Sequence, residues 1–490
     1  MPVSFNTIPA TLRVPLFYAE MDNSKAGTFN ATYRALAIGQ ATNVSAEFNV
    51  PALVSSLEQA KDRYGEGSQL AQMIEGYLDN NTSVEIYALP IADPAAGVAA
   101  TGSIAVSGPA TGAGNISLYI YDRLVQVAVA AGDRADAVAK AIADAITADT
   151  QLPVTATASE AEVTLTAKHK GLIGNDIVVS LNLGGEANGE ATPAGLELAI
   201  TQMASGSGNP DIETAIANLG DEAYDFVISG FSTAGILQEL SAYMNDKTGN
   251  WSYLKQIYGH VWAAHRGTVA ELQTFGANYN DQHLSVMGVY GTTTPIWKWA
   301  AAVAGAAATS LAADPARPLQ TLAVNGVAAP KVADRFTVVE RETLLKNGIS
   351  TYSVVSGTVQ LERIITTYQR NGYGQADNSY LSVETLYTSV YILRKLRSVI
   401  TSKYGRHKLA NDGTRFGAGQ AIVTPKIIKA ELITVYSELE YEGIVEDVEA
   451  FKENLIVERD LNDRNRINVL FTPDYINQFN IFALVNQFRL

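Results

Sequence analysis

Asp225-Phe-Val-Ile-Ser-Gly-Phe-Ser-Thr-Ala-Gly-Ile-Leu-Gln-Glu-Leu-Ser-Ala-Tyr-Met244 decides how this chain is read. A short continuous apolar run, Asp225 to Ser229, is a strand buried on both faces, and residues 233–245 then change to helical spacing. The pattern repeats on both sides. Helix 211–219 precedes it, and strand Ile257 to Ala263, helix 268–278 and strand His283 to Val289 follow. Upstream, Tyr33 to Ile38 and Val84 to Leu89 read as strands. Between them a helix is expected to start at Pro51, with Val54, Leu57 and Ala60 on one face. Ser68 caps a second helix carrying Leu70, Met73, Ile74, Tyr77 and Leu78. Strands alternating with helices of about ten residues predict a mostly parallel, covered sheet.

Residues 95–205 have another texture. Gly, Ser, Thr and small apolar residues dominate, and alternation at Val125, Val127, Val129, at Val163, Leu165 and at Ile177, Val179, Leu181, Leu183 predicts short strands. One helix is expected from Asp133 to about Ala148, with Val138, Ile142 and Ile146 in a row. This segment reads as a β-rich domain with its own core, inserted into a loop and standing out from the main body, since closure entropy grows slowly with loop length. Trp299 to Ala313 is a buried helix whose small side chains admit a close neighbour, stopped by Asp314-Pro315. Strands at Tyr352 to Val355 and Val359 to Thr366 flank Ser356-Gly357, and helices span about Val383 to Tyr404 and Pro425 to Glu442. The organisation expected is an N-terminal arm (1–27), an α/β core (28–94 with 206–329), the inserted domain (95–205), a mixed α+β C-terminal core domain (330–466) and a C-terminal arm (467–490).

The 490 residues carry 35 basic and 50 acidic side chains, a net charge of −15. That balance argues against wrapping nucleic acid. With no cysteine, disulfide frameworks, thiolate zinc sites and cysteine nucleophiles are excluded. Met1 to Ala10 has no basic start and apolar core, so it does not read as a signal peptide. The Trp299 to Ala313 run is too short to span a membrane.

Chemistry is sparse. No Gly-Lys dipeptide and no HExxH occur, so neither a phosphate loop nor a zincin site is expected. Gly108, Gly112 and Gly114 lack dinucleotide spacing and read as turn residues. His169, His260, His265, His283 and His407 are the histidines, with His260 and His283 in expected core strands beside Asp225 and Asp281. An acid–histidine pair there would still need a nucleophile on a strained turn. Gly291-Thr-Thr-Thr-Pro295 only faintly resembles one, so no catalytic residue, cofactor or metal ligand is assigned.

Two charge clusters stand out: Arg394, Lys395, Arg397, Lys403, Arg406, His407 and Lys408, and Glu438, Glu440, Glu442, Glu446, Asp447, Glu449 and Glu453. Either they are solvated faces, or they meet an oppositely charged partner or copy. The tails alternate too: Val14, Leu16 and Tyr18 near the start, then Phe482, Leu484, Phe488 and Leu490 against Ile481, Ala483 and Val485 at the end. An apolar strand at a chain end either folds back on its own core or pairs with another molecule.

Glu340-Arg-Glu-Thr-Leu-Leu-Lys-Asn-Gly-Ile-Ser-Thr351, Leu361-Glu-Arg-Ile-Ile-Thr-Thr-Tyr368, and Arg466-Ile-Asn-Val-Leu-Phe-Thr-Pro473 through Asn486-Gln-Phe-Arg-Leu490 resemble the tail sheath proteins of contractile bacteriophages, the Mu-like branch in particular. Ser4-Phe-Asn-Thr-Ile-Pro9, Arg13-Val-Pro15 and Asp314-Pro-Ala-Arg-Pro-Leu319 fit the same pattern. The resemblance covers almost the whole chain and is weakest at 95–205. It implies a subtilisin-like but non-catalytic α/β core and arms, Val3 to Glu20 and Ile467 to Leu490, that lend strands to neighbours. It also implies a homo-oligomer of stacked, sixfold rings around a tail tube protein, with baseplate and tail terminator proteins as further partners. Assembly is expected in the host cytoplasm and the final location in the virion, without membrane insertion. Contraction would drive the tube through the host envelope for genome delivery. The insertion would face outward and residues 370–460 the tube. A serine hydrolase, or a polymeric surface or tail protein that does not contract, are the alternatives.

Overall fold

A computed structural model describes residues 32–43 and 47–489. The apolar runs become a six-stranded sheet in the order Leu284–Val289, His260–Arg266, Phe226–Ser229, Arg34–Gln40, Glu85–Ile91 and Ala52–Val54. The first five are mutually parallel, with Ala35 opposite Phe226 and Arg34 opposite Glu85. Alternate residues of each strand bury on opposite faces. Phe226, Ile228, Trp262 and Met287 go to one cluster, and Val227, Val261, Leu284 and Val286 to the other. Helices Gln69–Leu78 and Ile296–Ala313 cover the first face. Helices Glu213–Asn218, Ala234–Met244 and Val269–Gly276 cover the second. Both faces are dry, which is why these strands read as unbroken apolar runs.

One element differs from expectation at this edge. Residues 52–54 form a strand antiparallel to Glu85–Ile91, and the helix starts only at Leu57, capped by the Ser56 hydroxyl. The spacing of Val54, Leu57 and Ala60 mimicked a helical face, but Val54 points into the core from the sheet edge. Ser68 caps the next helix as expected, accepting the Ala71 N–H.

The alanine-rich helix begins at Ile296, behind Pro295, and its cap is Asp314. Its small residues do what their size predicts. A Cβ on Gly76 would meet the Lys298 carbonyl oxygen at 2.9 Å, and one on Gly305 would meet that of Tyr77 at 2.8 Å. Helices Gln69–Leu78 and Ile296–Ala313 therefore approach backbone to backbone.

The insertion holds two antiparallel sheets. One has the order Glu197–Ala204, Ala99–Ser107, Glu162–Lys170, Val154–Ser159. The other is Arg123–Val129, Gly114–Ile120, Val179–Leu181, and helix Ala135–Ala148 packs between the strands. It does not stand apart: its buried residues are continuous with the main core. Polar clasps hold it at the carboxyl ends of the parallel strands. The Arg266 Nε donates to Asp176 Oδ1 at 2.5 Å, and the Ile296 N–H donates to Asp176 Oδ2 at 2.7 Å. Thr294 Oγ1 donates to Asp122 Oδ2 at 2.9 Å. The Gln69 N–H donates to His169 Nε2, so the ring proton sits on Nδ1, 2.8 Å from Asp93 Oδ1.

The expected division at residue 330 meets no break in packing either. Ser350 bridges Met287 in parallel, and the hairpin Thr351–Val355 with Thr358–Arg363 buries Tyr352, Val359 and Leu361 in the main core. Its turn is Ser356-Gly357, both at positive φ (51° and 83°), the geometry that suits a two-residue hairpin loop. Arg341 pairs with Glu362, tying together two of the unusual sequence words. A separate cluster begins beyond, with Ile392, Ile428, Leu432, Tyr436, Val445 and Phe451. Helix Val383–Tyr404 belongs to both: Val383 and Tyr387 lie in the main core and Ile392 in the second.

Gly76→Val should force the two close helices apart. Overpacking of this kind costs about 1–3 kcal/mol, read as a lowered midpoint in urea unfolding, whereas Gly235→Ala, which meets no neighbour, should leave the midpoint within about 0.5 kcal/mol.

Candidate assembly surfaces

The C-terminal segment divides into three parts. Ile467–Leu470 pairs antiparallel with Ile456–Arg459, and Asp474–Tyr475 pairs with Val445–Glu446. The expectation of a strand-lending arm from residue 467 is therefore corrected: residues 467–475 serve their own molecule. Phe471 explains it, lying edge-on to Phe451 at 5.0 Å within the second core. Next comes a tether. Gln320 Nε2 donates to the Phe479 carbonyl at 3.0 Å, and Gln478 Nε2 donates to that of Ala316 at 3.4 Å. From residue 480 to 489 no strand forms, and Ile481, Phe482, Ala483, Leu484, Val485 and Phe488 are exposed, the large ones by 74–82%. Leu490, and Val14, Leu16 and Tyr18 of the other tail, lie outside the described residues.

The hairpin Ile456–Leu470 is a two-stranded ladder, and Ile456, Val469 and Leu470 are exposed on it. Its turn is organised by Asp460, whose Oδ1 accepts the Asn462 and Asp463 N–H groups while Oδ2 accepts Asn468 Nδ2. The Asp463 amide leads the causes that hold the Asp460 carboxyl down at about 2.

The two charge clusters meet each other inside the chain. Lys395 is buried, 2.7 Å from Glu442 and 3.8 Å from Glu438, and Lys403 lies 2.6 Å from Glu431. Arg394 turns the other way and pairs with Asp225 at 2.7 Å, both largely buried. Arg394 and Lys395 are thus largely buried intramolecular braces, neither solvated nor free to meet a partner, while Glu438 and Glu442 brace Lys395 from the surface. Burial pushes the Asp225 carboxyl up, while Arg394 and the Arg34 N–H, which donates to Oδ2 at 3.0 Å, oppose that rise. Arg397, Arg406, Lys408, Glu446 and Glu449 remain exposed.

The histidines fill structural roles. His260 Nε2 lies 2.8 Å from Ser285 Oγ, and full burial holds the imidazole neutral, with a pKa well below its ordinary value. The acid partner of His283 is Asp246, at 3.1 Å, rather than Asp281, whose carboxylate accepts the His283 main-chain N–H. Asp225 likewise touches His260 only through the backbone. Sequence reasoning missed the pair Ser232–His265 (2.8 Å), which joins residues 33 apart. Its ring stacks on Phe275 at 3.8 Å. The Gly291–Pro295 turn is a docking knot: Arg266 donates to the Thr292 and Thr294 carbonyls. A cleft of about 830 Å³ beside it is lined by Arg266, Glu271 and Tyr290. Two of its ionised groups are already engaged, Arg266 by Asp176 and Glu271 by the Thr268 cap, while Lys331, Asp334 and Arg335 also line it.

Residues 205–367 match the family described as phage tail sheath protein central domain, and residues 375–489 match the phage tail sheath C-terminal domain. The Mu-like prophage FluMu tail sheath protein of Haemophilus influenzae is 44% identical over 494 residues, covering the whole of both chains. Among solved structures, a sheath tail protein from Desulfitobacterium hafniense shares 13% identity over 94% of this chain and all of its own, with a TM-score of 0.47. One from Listeria innocua shares 12% over 92% and 94%, with a TM-score of 0.48.

Arg394→Met should leave Asp225 buried without a counter-charge and cost about 3–5 kcal/mol in chemical unfolding, with Asp225→Asn in the same chain recovering most of it. The depressed Asp460 carboxyl gives its hairpin a contribution present above the ordinary carboxylate pKa and lost as pH falls towards about 2. Amide exchange at residues 460–468 should therefore accelerate, relative to the main sheet, only below about pH 4.

Proposed function

The chain belongs to the phage tail sheath protein family, and from that membership we propose that it polymerises around a tail tube and contracts to drive the tube through the host envelope. The family is structural and not one of enzymes. One observation carries the assembly step: an exposed apolar segment, residues 481–488, follows directly on a tether at Gln478 and Phe479. A segment held at its root and bare along its length is suited to strand addition, in which main-chain hydrogen bonds bind and alternate side chains select. The ladder at Ile456–Leu470 offers it an edge on a neighbouring copy. Val14, Leu16 and Tyr18 would form the second arm of the same mesh.

Head-to-tail donation is heterologous, so it builds rings where the rotation closes and helices where it does not, here stacked and sixfold rings. The tail tube, baseplate and terminator proteins are the other partners of this reading, the virion is its location and the host cytoplasm its place of assembly. The insertion faces outward and residues 370–460 carry the tube side. The core's kinship to the subtilisin-type fold belongs to the same reading, supported by a parallel sheet covered on both faces. Contraction needs no nucleotide if the extended form is metastable. Burying about 300 Å² more apolar surface per subunit yields about 7 kcal/mol before side-chain ordering is subtracted.

Deleting residues 480–490 should leave a folded monomer, because residues 480–489 cover none of either core, yet abolish polymerisation. Circular dichroism checks the first outcome and negative-stain electron microscopy the second. Sheath-like tubes formed by the truncated chain would refute the arm assignment.

A further inference from the structure

Helices Val383–Tyr404 and Pro425–Tyr441 run antiparallel, because Lys395 meets Glu438 and Glu442 at one end while Lys403 and Tyr404 meet Glu431 towards the other. These internal pairs make a braced rod about 25 Å long. Its ends differ in sign. At one end Arg406, Lys408, Arg415 and Lys426 are exposed, and among the described residues none has a carboxylate within ion-pair distance; Asp412 is the acid nearby in sequence. Arg415 and the 42%-exposed Phe416 sit on a loop, residues 411–420, that is exposed throughout. The opposite end presents Tyr441, 95% exposed, and beside it Glu446 and Glu449, kept there because the Tyr436 hydroxyl donates to the Glu446 carbonyl and the Val448 N–H donates to Glu440. Glu449 pairs with the neighbouring Lys452, and among the described residues Glu446 has no cation within ion-pair distance.

A chain of net charge −15 repels its own copies unless opposite signs are brought face to face. We infer that the basic end of this rod docks on the acidic end of the next copy, with Arg415 and Phe416 meeting the Glu446–Glu449 surface and Tyr441. An exposed arginine, a part-exposed phenylalanine and a tyrosine bare to solvent are residue types that anchor protein contacts. The two patches lie at opposite ends of one rigid element, so the contact is heterologous and propagates from copy to copy. It rests on the sheath reading and adds a second contact between copies, independent of the strand-lending arm. Charge pairing there sets register and orientation, and it survives sliding better than an interlocked apolar contact does.

The test uses four full-length chains: unmodified, Lys408→Glu with Arg415→Glu, Glu446→Lys with Glu449→Lys, and all four changes together. Thermal melts check that each monomer is folded, and assembly is followed by sedimentation at low and high salt. Each singly reversed chain should need at least about tenfold more protein to assemble. The chain reversed at both ends should assemble like the unmodified one, and an equimolar mixture of the two singly reversed chains should co-assemble. Reversed chains that assemble normally overturn the inference, and so does a fully reversed chain as weak as the single ones. Loss confined to binding of an acidic tube protein, with assembly intact, overturns it in favour of the tube as partner. An unmodified chain that stays monomeric at every salt concentration overturns the sheath reading itself.

Discussion

Asp225 and Arg394 hold the molecule together across its two cores. The carboxylate stands at the foot of the central strand Phe226–Ser229, and the guanidinium comes from the middle of the helix that enters the second core. Neither charge is easily buried alone, so each fixes the position of the other. Around them the Tyr387 hydroxyl donates to the Asp225 carbonyl and receives the Trp262 indole N–H, while Phe226 stacks on the Tyr387 ring at 5.0 Å. Glu384, on the same helix, accepts the Leu319 N–H and so fixes the segment that follows the alanine-rich helix. The helix is therefore locked along its first three turns, and whatever moves its far end moves the central sheet.

That stiffness gives a physical meaning to a contractile part. Rigid bodies transmit displacement, and in the assembly proposed above compliance falls to the segments that would link one copy to the next. The tether at Gln478 and Phe479 marks where rigidity stops. Before it, residues 467–475 are paired and packed; after it, apolar side chains stand in solvent.

Much of this was legible in the residues. The parallel strands announced themselves as unbroken apolar runs because both of their faces are dry, and the Val383–Tyr404 helix matched its periodicity to the residue. The Ser356-Gly357 turn, and a close neighbour for the small-residue helix after Trp299, followed from local stereochemistry; that the neighbour is Gln69–Leu78, meeting it at Gly76, did not. What failed was information that local pattern does not carry. Val54, Leu57 and Ala60 are spaced alike for a helix face and for a strand edge leading into a helix. The resemblance placed the start of the lending arm at Ile467, but residues 467–475 find their partner edges within their own chain, which a sequence pattern does not reveal. The charge clusters were visible, but their mutual pairing depends on a turn of chain between two helices that brings Lys395 to Glu442, 47 residues on. Ser232–His265 and Asp176–Arg266 are equally non-local, and neither left a motif.

The insertion's clasps have a consequence for what this sheet can be. In open α/β proteins the crevice beyond the carboxyl ends of the strands is where small molecules are usually received. Here Asp176, Asp122 and His169 occupy that doorway and spend the polar groups of Arg266, Thr294 and Gln69 on one another. A fold that elsewhere keeps a reagent's seat has set a keystone there, and the cleft of about 830 Å³ left beside it has Arg266 already bound into the masonry.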